Sequence, residues 1–156
     1  MKSFVVTISL LTMLTGATLA QEPWKEPPPT PGAIARHPAT FKQDSIEIKL
    51  GPKEGMEYKY RLDKGAAFLY SWTSTGTVTS EMHSVPDGAP KEFAEFFDKG
   101  SSDRGHGSYV APWPGIHGWW FENTSDQAVT ITFTSQGFYT ESHEFRRATP
   151  VKIKKF

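Results

Sequence analysis

The sequence predicts an all-β protein, an antiparallel β-sandwich with one short inserted helix. Three observations lead there. Apolar and polar residues alternate over several short runs, the period of a half-buried strand. Combinations of Gly, Pro, Asn and Asp separate those runs and favour turns. A single segment, "APKEFAEFFDKG" at 89–100, changes to a helical spacing.

Taken in chain order, the first twenty residues carry one charge, Lys2, then the apolar run Phe4–Leu14 and the small-residue stretch Gly16–Ala20. That three-part pattern predicts a secretory signal peptide over residues 1–20, with Gln21 as the new N-terminus. The alternative is an uncleaved anchor, for which the apolar run is shorter than the roughly 20 residues a spanning helix needs. Residues 21–44 begin "QEPWKEPPPTPG" and read as a Pro-rich linker, because each Pro fixes φ and removes a backbone donor. What remains is one domain's length, the sandwich at 45–145 and a basic tail or last strand at 146–156.

Ile46, Ile48 and Leu50 alternate before "GPKEG", and Met56, Tyr58, Tyr60 and Leu62 alternate with Glu57, Lys59 and Arg61 after it. "DKG" leads into "AAFLYSWTS", where Phe68, Tyr70 and Trp72 share a face, and "STG" leads into "TVTSEMHSV". Phe93, Phe96 and Phe97 stand at i, i+3 and i+4 with Gly100 at the end, which predicts the helix. After the loop "SSDRGHGS" and the tight "PWPG", Gly115–Glu122 alternates again. One of its faces holds His117, Trp119 and Phe121, and the other holds Ile116, Gly118, Trp120 and Glu122. "AVTITFTS" is the clearest strand, with Val129, Ile131 and Phe133 opposed to three threonines.

Composition limits the function classes. Basic and acidic residues number 17 each, so there is no global field for nucleic acid or an anionic membrane. The one basic cluster, Arg146, Arg147, Lys152, Lys154 and Lys155, reads as a solvated last strand, with a peripheral lipid or acidic contact as the sharper alternative. There is no Cys, so stability rests on burial, for which 13% aromatic residues supply large areas.

Two stretches carry a resemblance. "GIHGWWFEN", Gly115–Asn123, and "KGAAFLYSWTSTGTVTSEMH", Lys64–His83, resemble the hallmark strands of the GOLD (Golgi dynamics) domain in order and spacing, over roughly residues 45 to 140. The chain is also similar to short exported or membrane-anchored bacterial proteins of unassigned function with a G-x-H-G-W strand, some labelled transmembrane anchor proteins. The resemblance implies a sandwich that binds proteins or lipids. It puts His117, Trp119 and Phe121 in the core. Trp120 stands where the cargo receptors of that family have a disulfide Cys, and the receptors' coiled coil and membrane helix are missing here, so a cargo-receptor role does not carry over.

The function expected is therefore an exported, non-catalytic recognition or adaptor module for a protein or lipid partner, with no cofactor. Trp113, held between prolines, Trp120 and Tyr109 are the candidates for an exposed aromatic patch, joined by Tyr139 as a fourth contact residue. Trp72, His117, Trp119 and Phe121 are its core support. A carbohydrate-binding sandwich is the first alternative, in which Trp113, Trp120, Tyr109 or Tyr139 stacks on sugar rings. A histidine metal site is the second, from His83, His106 and His117 with Asp87 and Asp103 nearby, although no two of these histidines have a local ligand spacing. Catalysis has no motif: there is no G-x-S-x-G elbow, no Cys nucleophile, no phosphate loop and no H-E-x-x-H. "NTS" at Asn123 matches a glycosylation acceptor and also suits a turn.

Overall fold

The computed structural model describes residues 34–156; the expected signal peptide at 1–20 and the first part of the Pro-rich segment lie outside the described residues. Eight strands follow one another: β1 Lys42–Leu50, β2 Gly55–Leu62, β3 Ala67–Pro86, β4 Glu95–Val110, β5 Gly115–Glu122, β6 Val129–Gly137, β7 Glu141–Arg146 and β8 Lys152–Lys155. All pairings are antiparallel, in the order β1-β6-β3-β5-β2-β7-β8, with β4 on the far edge of β3.

The twenty residues of β3 organise the sheet. Its first part, Phe68–Ser74, pairs with β6, and its second, Thr79–Pro86, pairs with β5, while β4 accompanies both. Between Thr73 and Val78 the register against β4 breaks, and Ser74–Thr77 face Asp103 alone. The hairpin bends there, and the bend curls the whole sheet. The sign of it is that Phe97 and Tyr109 of β4 have ring centroids 5.3 Å apart, whereas twelve residues of straight strand would separate them by about 40 Å.

The curl encloses one aromatic core. Trp119 of β5 meets Tyr70 at 4.4 Å, Phe133 at 5.2 Å and Phe68 at 5.7 Å, and Trp72 meets Phe121 at 5.3 Å. Phe68, Trp72, Trp119, Phe121 and Phe133 are all buried. The alternation read from the sequence is the reason: Ile46, Ile48 and Leu50 of β1 lie across from Phe133, Ile131 and Val129 of β6. At about 25 cal/mol per Å² and 150–250 Å² per ring, each buried aromatic contributes several kcal/mol. A cysteine-free chain has that source to draw on.

The expected helix is not there. Residues 87–94 turn the chain and Phe96 and Phe97 belong to β4. Met82 pairs with Asp98 and His83 with Phe96, so Phe97 is the extra residue of a β-bulge. The bulge sends Phe96 onto the His83 ring, 5.3 Å away, and Phe97 toward Tyr109 and Trp113. A helix of some ten residues is marginal alone, and here extending the β3 ladder gives the segment from Glu95 onward a paired backbone.

A latch closes the curl at the C-terminus. The Asp44 side chain on β1 has no solvent exposure, and it accepts hydrogen bonds from Tyr58 Oη (2.8 Å), Tyr60 Oη (3.0 Å) and Lys154 Nζ on β8 (2.8 Å). The polar network continues from Tyr58 to Ser142 and from Tyr60 through Ser135 to Tyr139. Most of the basic cluster is thus paired within the chain: Lys152 with Glu144, Lys154 with Asp44, Lys155 with Glu141, and Arg146 with Glu54 and Glu144.

Candidate functional site

Strand β5 places His117, Trp119 and Phe121 in the core, and Ile116, Trp120 and Glu122 face outward. His117 is fully buried between two hydrogen bonds. Its Nε2 contacts the Trp113 carbonyl at 3.1 Å, so Nε2 carries the proton and donates. Nδ1 therefore accepts from Tyr109 Oη at 2.8 Å. Burial holds the imidazole down to about 4 and the Tyr109 phenol up to about 12. Neither group is free to move a proton near neutral pH, so both support structure.

The four expected contact residues do not form one patch. Trp113 is half-buried, and its indole N–H donates to Ser84 Oγ at 3.1 Å. Trp120 is half-buried at the other end of β5, on the outer face, with its indole lying where a side chain at Gly55 would be. Tyr109 belongs with Trp113 through Phe97 and has no contact with Trp120. Tyr139 is 0% exposed, packed 4.3 Å from Tyr60 and 4.9 Å from Phe156, with its hydroxyl bonded at Ser135. It offers no surface to a partner or a sugar.

The three histidines stay apart as well. His117 is interior, His83 lies on the outer face and His106 is exposed on β4. Asp87 is held by Arg61 through two hydrogen bonds of 2.6 and 2.5 Å, and Asp103 by Arg104. Among the described residues no three His, Asp or Glu side chains come together as metal ligands. Asn123 is fully buried; its Nδ2 donates to the carbonyls of Gly51 and Gln127, and its Oδ1 accepts from Ser125 N and Oγ. The acceptor pattern there is a turn lock, with no amide free for a glycan.

What the pattern did not reveal is a charged pocket on the outer face. Pairing brings Lys59 of β2, Gly118 of β5 and His83 of β3 side by side, with Glu57 and Trp120 in the next row. A Cβ on Gly118 would overlap the β2 backbone and stand 3.1 Å from Lys59 Cγ. The missing side chain therefore lets the lysine stem lie flat on the sheet. Lys59 is only 4% exposed, with Nζ 2.6 Å from Glu57 Oε2 and 5.8 Å from the centre of the Phe145 ring. His83 Nε2 stands 3.8 Å from the other Glu57 oxygen.

Burial raises the Glu57 carboxyl, but His83 and Lys59 outweigh it and hold the group down at about 2, so Glu57 is a carboxylate at any physiological pH. The β3–β4 turn covers this pair and leaves a cavity of about 420 Å³ lined by Glu57, Lys59, His83, Val85, Phe93 and Ile116. Phe93, in its wall, is 42% exposed, and Phe96, stacked on the His83 ring at its edge, is 60% exposed. A sequence signal existed in Gly118, a glycine between Ile116 and Trp120 on the outward face, yet only the strand register says that Lys59 uses its space.

No family model matches the chain, and no curated protein matches it at a significant level.

Proposed function

We propose that the chain is an exported, non-catalytic recognition module of GOLD-like β-sandwich type that docks a protein partner on its outer face, at the phenylalanine rim of the β3–β4 turn. One observation carries this reading. Phe93 and Phe96 remain 42% and 60% exposed beside a cavity floored by the Lys59–Glu57 ion pair, Phe93 lining its wall and Phe96 stacked on the His83 ring. Exposed apolar groups clustered around a concavity with polar groups at its base are the usual build of a contact surface. Supporting the GOLD-like part are the buried Trp72, Trp119 and Phe121 on the strands that carry the resemblance. A contact made through side chains on a rigid sheet requires no catalytic group, and the best-buried histidine, His117, has both nitrogens occupied.

The test is affinity recovery from the native compartment with three immobilised proteins: wild type, Phe93→Ser/Phe96→Ser and Trp113→Ala/Trp120→Ala. The expected result is a specific partner recovered by the wild type and lost from the phenylalanine variant, whose melting temperature stays close to wild type. Retention by the phenylalanine variant, with loss from the tryptophan variant, overturns the location.

A further inference from the structure

We propose that the outer-face cavity binds a small zwitterion of the apolar α-amino acid class, its carboxylate on Lys59 and its ammonium on Glu57. This goes beyond partner docking on the phenylalanine rim, and its test involves no partner.

The starting point is an ammonium with unmet demand. A lysine head has three N–H donors and no acceptor. Lys59 is 4% exposed, and among the described residues Glu57 is the only acceptor beside it, at 2.6 Å. Val85, Phe93, Ile116 and Phe145 in the walls around it have no polar side-chain atoms, and His83, the polar wall beside the pair, has its Nε2 on the far Glu57 oxygen at 3.8 Å. Burying a charge with so few partners is unfavourable unless another group completes its shell. A bound acceptor supplies that.

Charge balance then selects the ligand. Lys59 and Glu57 together are neutral, so a simple anion would gain Lys59 and meet Glu57, and a simple cation would do the reverse. A molecule with both charges on neighbouring atoms avoids this conflict. In an α-amino acid the ammonium and the carboxylate are about one ion-pair distance apart, which matches the Lys59–Glu57 separation. Laid antiparallel to that pair, it completes a four-charge square of alternating sign and adds no net charge to a site of reduced dielectric. The rim repeats the neutrality with Lys91 beside Glu92. Phe93, Val85 and Ile116 give the remaining volume an apolar side, and a cavity of about 420 Å³ lies within the usual range for small-ligand sites.

The experiment is a titration of the purified protein, followed by amide NMR shifts at Gly118, His83 and Phe93, with L-leucine, glycine, N-acetyl-leucine and leucinamide. Leucine is expected to shift these amides and to bind at least about tenfold more tightly than each of the other three, since each lacks one charge or the apolar side chain. Equal binding of N-acetyl-leucine or of leucinamide overturns the zwitterion assignment, as does the absence of any localised shift. A Lys59→Met/Glu57→Gln variant that is folded and still binds leucine overturns it too. Should that variant fail to fold, Phe93→Ala on the exposed rim decides: it keeps the fold and is expected to weaken leucine binding by about tenfold, and unchanged binding refutes the cavity. Partner recovery is measured separately, so either reading can fail alone.

Discussion

Replacing Lys154 by Met removes the latch between the last strand and the first, together with the ammonium's position 4.4 Å over the Phe156 ring. In the native chain the Asp44 side chain is wholly buried, and one of its three donors is the Lys154 ammonium at 2.8 Å. A hydrogen bond to a charged group contributes about 1.5–3 kcal/mol net. The Lys154 side chain is 56% exposed, so solvent screens its share and the lower half of that range applies. The expected loss is about 2 kcal/mol, on the order of 8 °C in melting temperature for a domain of this size. Urea unfolding followed by tryptophan fluorescence measures it, since Trp72 and Trp119 are in the core that opens. Asp44→Asn, alone and combined with Lys154→Met, completes a cycle whose coupling energy is about 1–2 kcal/mol. A loss below about 0.5 kcal/mol, within the range of a neutral surface change, would refute the latch.

Four further outcomes follow from the same geometry. Trp119→Ala, which empties the ring contacts to Phe68, Tyr70 and Phe133, costs about 3–5 kcal/mol, whereas Phe96→Ser on the exposed rim costs less than about 0.5 in the same unfolding assay. Gly118→Ala costs more than about 2 kcal/mol by thermal melting, because its Cβ would stand 2.6 Å from Lys59 Cα and backbone does not yield cheaply. His117, whose folded value of about 4 is depressed from 6.5, binds its proton in the unfolded chain first. Its contribution is full above pH 6.5 and falls by roughly 3 kcal/mol as pH drops to 4; His117→Gln flattens that part of the pH–stability curve, distinct from the Glu57 loss between 4.5 and about 2. Finally, mass spectrometry of the chain made in a glycosylating host finds Asn123 unmodified.

Much of the fold was legible because half-buried strands declare themselves by period. The alternation at 46–62, at 68–72 and at 129–133 became β1, β2, β3 and β6; alternation also separated the two faces of β5, and the resemblance picked out His117, Trp119 and Phe121 as the inward one. The 89–100 segment misled because a β-bulge shifts the phase of a strand by one residue. Once Phe97 is unpaired, Phe93, Phe96 and Phe97 mimic helical spacing. The site was the least legible part. Lys59, Glu57, Gly118, His83 and Phe93 are scattered over β2, β5, β3 and a turn, and only the pairing register makes them neighbours. Trp113 and Trp120 attracted attention by residue type, but chain proximity across β5 put them at opposite ends of the strand, in different surroundings.

The most direct test of the proposed recognition surface is a photo-crosslinking amino acid placed at position 96, compared with the same residue placed at 120, in cells that produce the protein. A discrete adduct with a protein partner from position 96 and none from 120 is the predicted result. An adduct from 120 alone, or from neither position, would contradict the account.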